Sequence, residues 1–245
     1  YHADGWLLLI NGVQSSHVIV GQPRMLDFEY MRWIAAVLDS HIQTHLNPEK
    51  LRITHLGGGA CSLARYCADV YPNSRNTVVE LDAKLAEYVR EWFDIPKSPR
   101  VKIRVGDAGT VTRSFAPASR DVVIRDVFAV DKTPAELTSV DFVREVDHSL
   151  APGGLYILNC GDGPLLDGAR AEVAALFEVF EQVCLVADAA MLKGRRRGNI
   201  IIAASHSPLP AAGSAEAAAI SRTLMGGGVP AQYRDSAQAR QFARL

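Results

Sequence analysis

The chain has 245 residues, 48% of them hydrophobic, enough to bury the core of one α/β domain with a small appendage. Its formal net charge of -1 excludes nucleic-acid binding by bulk electrostatics, and no apolar run approaches the roughly 18 residues of a membrane span. Four cysteines, Cys61, Cys67, Cys160 and Cys184, lack C-x-x-C spacing and fall within predicted strands and helices, so they read as reduced thiols of a cytoplasmic protein. The chain opens at Tyr1 rather than at a methionine, so the lack of a signal peptide is uninformative.

Trp6–Ile10 and Val13–Val20 flank Asn11-Gly12 and predict a β-hairpin, with Gln14 just past its turn. Phe28, Met31, Ile34, Ala35, Leu38 and Ile42 recur with helical spacing and predict a helix over 26–43, closed by Asn47-Pro48. Strands over 51–56, 77–81 and 101–105 then alternate with helices over 61–70 and 83–93, the pattern of a parallel sheet with helices on both faces. Arg120–Asp126 predicts a fourth strand of this sheet. Thr133-Pro134-Ala135-Glu136 carries the cap, proline and acid of a helix start, and the helix is expected to run to about Leu150. A strand over 155–159, an amphipathic helix over 167–180 and strands near 182–187 and 199–204 complete a seven-stranded sheet. The basic run Lys193–Arg197 reads as a solvated connection or an interface. Three segments are expected: a hairpin appendage over 1–24, a nucleoside-binding domain over 25–208, and a helical tail over 209–245.

The stretch from Leu51 to Gly59 organises the rest. An apolar run that stops at Gly57-Gly58-Gly59 and restarts with helical spacing is a strand turning sharply into a helix. Glycines admit a bound group close to the backbone, and the helix N-terminus offers free N–H groups and partial positive charge. Glu80 and Asp82 follow at the end of the next strand, about 20 residues on, where a carboxylate meets ribose hydroxyls. Asp107 and Asp126 end the third and fourth strands at the same edge. Three acids at successive strand ends, Glu80, Asp107 and Asp126, point to a site that handles a cation or binds hydroxyls and amines. Taken alone, Asp107 also fits a turn residue.

Together these residues resemble the spermidine synthase family, the polyamine aminopropyltransferases, whose sheet is Rossmann-like, of the class I methyltransferase type. Gly12-Val13-Gln14 looks like the family's Gly-Val-x-Gln, and Tyr30 like the tyrosine of its following helix. Gly57-Gly58-Gly59 matches the glycine motif, Glu80-Leu81-Asp82 the Glu-Ile-Asp motif, and Gly106-Asp107-Ala108 the Gly-Asp-Ala motif. Asp121–Asp126 resembles Asp-Val-Ile-Ile-x-Asp, and Pro134–Leu137 the Pro-Ala-Glu-x-Leu element beyond it.

The resemblance implies that Gln14, the three glycines, Glu80, Asp82, Asp107 and Ala108 bind the donor nucleoside, that Tyr30 and Asp126 bind the acceptor, and that Asp126 is the catalytic acid or base. It implies transfer of an aminopropyl group from decarboxylated S-adenosylmethionine to a putrescine-like diamine, with methylthioadenosine leaving. The donor is a substrate. No tightly bound cofactor or metal is expected, and the implied partners are a small amine and a second copy of the chain, with no nucleic acid and no membrane. Ala60 stands where the family has an aspartate for the donor's ammonium, and Val127–Val130 replace the segment carrying a second acid for the diamine. These two departures suit a donor that keeps its carboxylate, so an S-adenosylmethionine-dependent methyltransferase is the alternative reading. A non-catalytic relative that binds a nucleoside or a polyamine is the third.

Overall fold

The computed structural model describes residues 5–129 and 132–245; Val130, the last of the Val127–Val130 stretch, lies outside them. A separate antiparallel hairpin comes first, β1 (Trp6–Ile10) and β2 (Val13–Val18). Asn11 and Gly12 both take positive φ, 51° and 81°, the conformation a two-residue hairpin turn demands and the reason for Asn-Gly here. Helix α1 (Glu29–His45) follows and buries Ile34, Leu38 and Ile42 against the sheet.

The main unit alternates β3 (Arg52–Leu56), α2 (Ser62–Val70), β4 (Arg75–Glu80), α3 (Ala83–Trp92), β5 (Val101–Val105), α4 (Ala108–Arg113) and β6 (Arg120–Arg125). It continues through α5 (Val140–Ser149), β7 (Leu150–Asp162), α6 (Asp167–Phe177), β8 (Gln182–Ala187), α7 (Ala189–Leu192) and β9 (Gly198–Ser205). The C-terminal segment adds α8 (Ala215–Met225), β10 (Gln232–Arg234) and α9 (Ser236–Ala243). The strands lie in the order β10-β8-β9-β7-β6-β3-β4-β5; β3 to β7 run parallel, and β9 is antiparallel to both β7 and β8. Apolar runs such as Val122–Ile124, Leu155–Leu158 and Ile200–Ala204 are buried, as sheets covered on both faces require. Among the described residues no helix is long and apolar enough to cross a membrane.

Two expectations need correction. The sheet has eight strands rather than seven, because Gln232–Arg234 pairs antiparallel with β8 at the sheet edge. Three residues of mixed polarity carry no readable period. The helix expected from Thr133 to Leu150 is split: Ala135–Thr138 form a short 3-10 turn, and Ser139 starts α5 afresh by accepting the Phe142 N–H. The Leu137 carbonyl accepts from the Arg125 guanidinium at 2.8 Å, a bond that takes it out of a continuing helix.

The sheet order reverses at β3: the chain moves to one side through β4 and β5, then returns to the other through β6 and β7. The crevice beyond the C-terminal ends of β3 and β6 is therefore the topological switch point, where ligands bind in such sheets. There the Asp126 amide donates to the Leu56 carbonyl at 2.8 Å, and Gly57 turns away with φ 92°. A Cβ on Gly57 would lie 2.1 Å from the Asp126 carbonyl oxygen, whereas one on Gly12 meets nothing within 4 Å. Both glycines have positive φ, so the two substitutions separate backbone strain from collision. Gly57→Ala is expected to cost at least about 2 kcal/mol, and Gly12→Ala about 1 kcal/mol, read as shifts in urea midpoint. Equal shifts would contradict the packing described.

Candidate active site

The glycine turn is held from two sides. Glu80 Oε2 accepts the N–H groups of Gly58 and Gly59 at 3.0 and 3.3 Å, and its Oε1 accepts the Asp82 N–H at 3.0 Å. From the hairpin, Ser16 Oγ accepts the Ala60 N–H at 3.0 Å, and the Ser62 hydroxyl donates to the His17 carbonyl at 3.2 Å. The N–H groups of Gly58, Gly59 and Ala60 are thus engaged. The glycines serve instead to bring the Glu80 carboxylate close: a Cβ on Gly58 would lie 2.9 Å from its Oε2. Ala60 is wholly buried beneath the hairpin.

Asp82 and Asp107 have structural duties as well. Asp82 caps α3 by accepting from Lys84 and Leu85 N–H, and Asp107 caps α4 by accepting the Thr110 N–H at 2.7 Å. That backbone bond holds the Asp107 carboxyl below its usual range. Ala108 is the first residue of α4 and is buried. Gln14 is exposed on the hairpin and lines the same cleft.

Across the cleft, Asp126 is half-buried at the end of β6. Its Oδ2 accepts from the Tyr30 hydroxyl at 3.0 Å, and its Oδ1 from the Asn159 amide at 3.0 Å. Burial pushes the Asp126 carboxyl up; the two hydrogen bonds and the nearby Arg125 charge oppose that push. The Tyr30 hydroxyl is raised well above its ordinary range, first by burial and then by the Asp126 charge, so it stays a donor.

Asn159 was not among the residues singled out from sequence. It is buried at the end of β7, and its Oδ1 has no partner. The signal available was a polar side chain interrupting the apolar run Leu155–Cys160.

Gln14, Tyr30, the three glycines, Glu80, Asp82, Asp107, Ala108 and Asp126 all line one cleft of about 1400 Å³. Beyond Asp126 its wall continues through Val127, Phe128 and Ala129 to Asp162 and Glu172, with Lys132 and Arg197 also present. Arg197 belongs to the basic run 193–197, in which Arg196 is tied to Asp188 at 2.6 Å. Among the described residues no group of three or more His, Cys, Asp or Glu side chains is placed to hold a metal ion.

A glycine turn, a carboxylate at the next strand end and a half-buried acid at the switch point define a class I methyltransferase-like α/β protein. No family model matches the chain. A solved structure of a probable spermidine synthase from Corynebacterium glutamicum is 60% identical, covers 99% of this chain and 87% of its own, and superposes with a TM-score of 0.97. The chain belongs to the spermidine synthase family. Among curated relatives, the eEF1A lysine and N-terminal methyltransferase of Mus musculus is 33% identical over 53% of this chain, and the polyamine aminopropyltransferase of Vibrio vulnificus is 26% identical over 65% of it. This chain spans 20% of the length of the first and 52% of the second.

The raised Asp126 carboxyl has a consequence for stability. The folded protein binds this proton more tightly than the unfolded chain, whose carboxyl titrates near about 3.9. The stabilisation is complete below that value and is lost as pH rises through the folded value. Asp126→Asn never carries the buried charge. Its Tm is therefore expected to exceed that of the unsubstituted chain by a few degrees at pH 7, with the gap closing toward pH 4. Thermal denaturation across that range checks it; a variant less stable at pH 7 would contradict the burial argument.

Proposed function

We propose that this chain transfers an aminopropyl group from decarboxylated S-adenosylmethionine to a putrescine-like diamine. The observation that carries the proposal is the Asp126 carboxylate, held by Tyr30 and Asn159 across the cleft from the glycine turn. The amine nitrogen attacks the carbon next to the sulfonium, the carbon–sulfur bond breaks, and methylthioadenosine leaves with the bond's electron pair. An ammonium has no lone pair, so the attacking nitrogen first gives a proton to Asp126, and Tyr30 and Asn159 hold that carboxylate in the orientation to receive it.

On the donor side, Glu80 accepts from the ribose hydroxyls, its carboxylate already oriented by three N–H groups. Gln14, Gly57, Gly58, Gly59, Asp82, Asp107 and Ala108 complete the nucleoside pocket, with Asp107 facing the adenine amino group. In this reading residues 25–208 are the catalytic domain, 1–24 close the donor side and 209–245 are a tail. A homodimer is supported by the apolar hairpin surface, where Trp6, Leu9 and Val13 are 66%, 53% and 51% exposed. A cytoplasmic location is supported by four free, buried cysteines.

Methyl transfer from S-adenosylmethionine is the second reading, and a specific feature favours it. The donor's tail would meet the Ser15 and Ser16 hydroxyls beside Gly59, and position 60 carries an alanine in place of an aspartate that would repel a carboxylate.

Calorimetric binding of the two donors, followed by turnover with putrescine, separates the readings. Tighter binding of the decarboxylated donor and putrescine-dependent release of methylthioadenosine are expected. Asp126→Asn should lower kcat by about 100- to 10,000-fold. Preference for the carboxylate-bearing donor and release of S-adenosylhomocysteine would replace the proposal with methyl transfer. Binding of neither would leave a non-catalytic relative.

A further inference from the structure

A second, smaller cavity lies between the stretch that leaves the hairpin, α2 and the link from α3 to β5. It holds about 230 Å³, and none of the residues in its wall lines the cleft that carries Asp126. Gly21 and Pro23 form one side, Arg65 and Asp69 of α2 a second, and Asp94 and Arg100 the third.

Arg65 is 4% exposed, a depth at which a guanidinium is ordinarily paired. Its Nε donates to the Asp94 carbonyl at a long 3.4 Å, and its two Nη groups donate to nothing among the described residues. Those two groups are not sealed in the interior, so they open onto the cavity. Arg100 approaches from the opposite wall, with one Nη on the Ala68 carbonyl at 2.7 Å and the other unbonded among the described residues. Of the two acids present, Asp69 is engaged by Arg24, whose Nε lies 2.6 Å from its Oδ2. The Asp94 carboxylate accepts no hydrogen bond among the described residues.

Two guanidiniums with unused donors suit an oxyanion, because their planar forks match pairs of oxygens. Asp94 adds a condition. A carboxylate only accepts, so it repels an anion made of bare oxygens and attracts one that also carries an O–H. Inorganic phosphate at neutral pH has both kinds of group. Sulfate has the same shape and no proton.

We propose that this cavity binds inorganic phosphate, with Arg65 and Arg100 donating to its oxygens and Asp94 accepting from its P–OH group. The site is independent of the reaction performed in the cleft. A bound phosphate would bring the hairpin's exit and the 94–100 link onto α2, the helix that starts at the glycine turn.

The test follows the arginine Nε–H signals of the full chain by nitrogen-15 NMR at pH 7 as inorganic phosphate is added, with sodium chloride holding the ionic strength constant. Arg65→Gln and Arg100→Gln identify the two signals. Saturable shifts of both are expected, with sulfate bound at least about 10-fold more weakly. A phosphate monoester, which loses its second proton near about pH 6, should rank with sulfate. Each arginine variant should weaken phosphate by about 10-fold or more. Asp94→Asn supplies a donor where the chain has only an acceptor, and should narrow or reverse the preference for phosphate over sulfate. Asp94 is exposed, so this variant decides even where Arg65→Gln fails to fold. Shifts that chloride alone reproduces, or no saturation up to about 50 mM phosphate, overturn the site. Sulfate bound as tightly as phosphate by the unsubstituted chain, or a preference unchanged in Asp94→Asn, overturns the assignment to phosphate.

Discussion

The hydrogen bond from the Asp126 amide to the Leu56 carbonyl, 2.8 Å long, is the contact on which the site depends. It is the last rung between β3 and β6, and beyond it the two strands part to open the crevice. On one side the chain turns at Gly57 into the glycine loop; on the other it presents the Asp126 carboxylate. The separation of the two sides of the cleft is thus set by backbone geometry, not by flexible side chains. A side chain on residue 57 would collide with the carbonyl oxygen of Asp126 itself. The glycine loop and the Asp126 carboxylate are consequently coupled through neighbouring backbone, a coupling that the proposed in-line displacement would use, because small misplacements of reacting atoms cost large factors in rate.

The glycine turn illustrates how a loop can serve a ligand without offering it free N–H groups. Glu80 collects N–H donors from Gly58, Gly59 and Asp82, and Ser16 takes the one from Ala60. Those donors fix the carboxylate, so little ordering would be left to do for the proposed ribose contact. The hairpin is part of this arrangement. Its second strand covers Ala60 and latches the start of α2, so a residue that looks like a lost counter-charge in the sequence is also a residue that the hairpin packs against.

Much of this was legible in the residues because the sheet is built from strongly periodic elements. Runs such as Leu51–Leu56 and Asp121–Arg125 are long enough to show their period, and Asn11-Gly12 states its turn chemistry outright. The carboxylates at the strand ends converge because parallel strands all deliver their C-terminal ends to one edge. What escaped were features carried by partners far apart in sequence. Arg125 and Glu172 are separated by 47 residues. Asn159 matters only because β7 lies beside β6. The split of the expected helix at Ser139 depends on a guanidinium taking the Leu137 carbonyl, and β10 exists because β8 leaves an open edge. Asp82 was read as a ligand acid, and only the backbone reveals that it also caps α3.

The base proposed at position 126 must satisfy opposing demands. It has to be ionised to accept a proton, and basic enough to hold one. Burial pushes the carboxyl up, and the hydrogen bonds from Asn159 and Tyr30 and the Arg125 charge oppose that push. The structure sets these influences against one another around a single side chain. Tyr30 remains a donor because its own ionisation is suppressed first by burial and then by the Asp126 charge, Asn159 supplies a donor that cannot titrate, and the Arg125 cation is itself paired with Glu172. Each contribution comes from a different element, so the basicity of Asp126 is a property of the packed sheet and its helices, not of the strand that carries it.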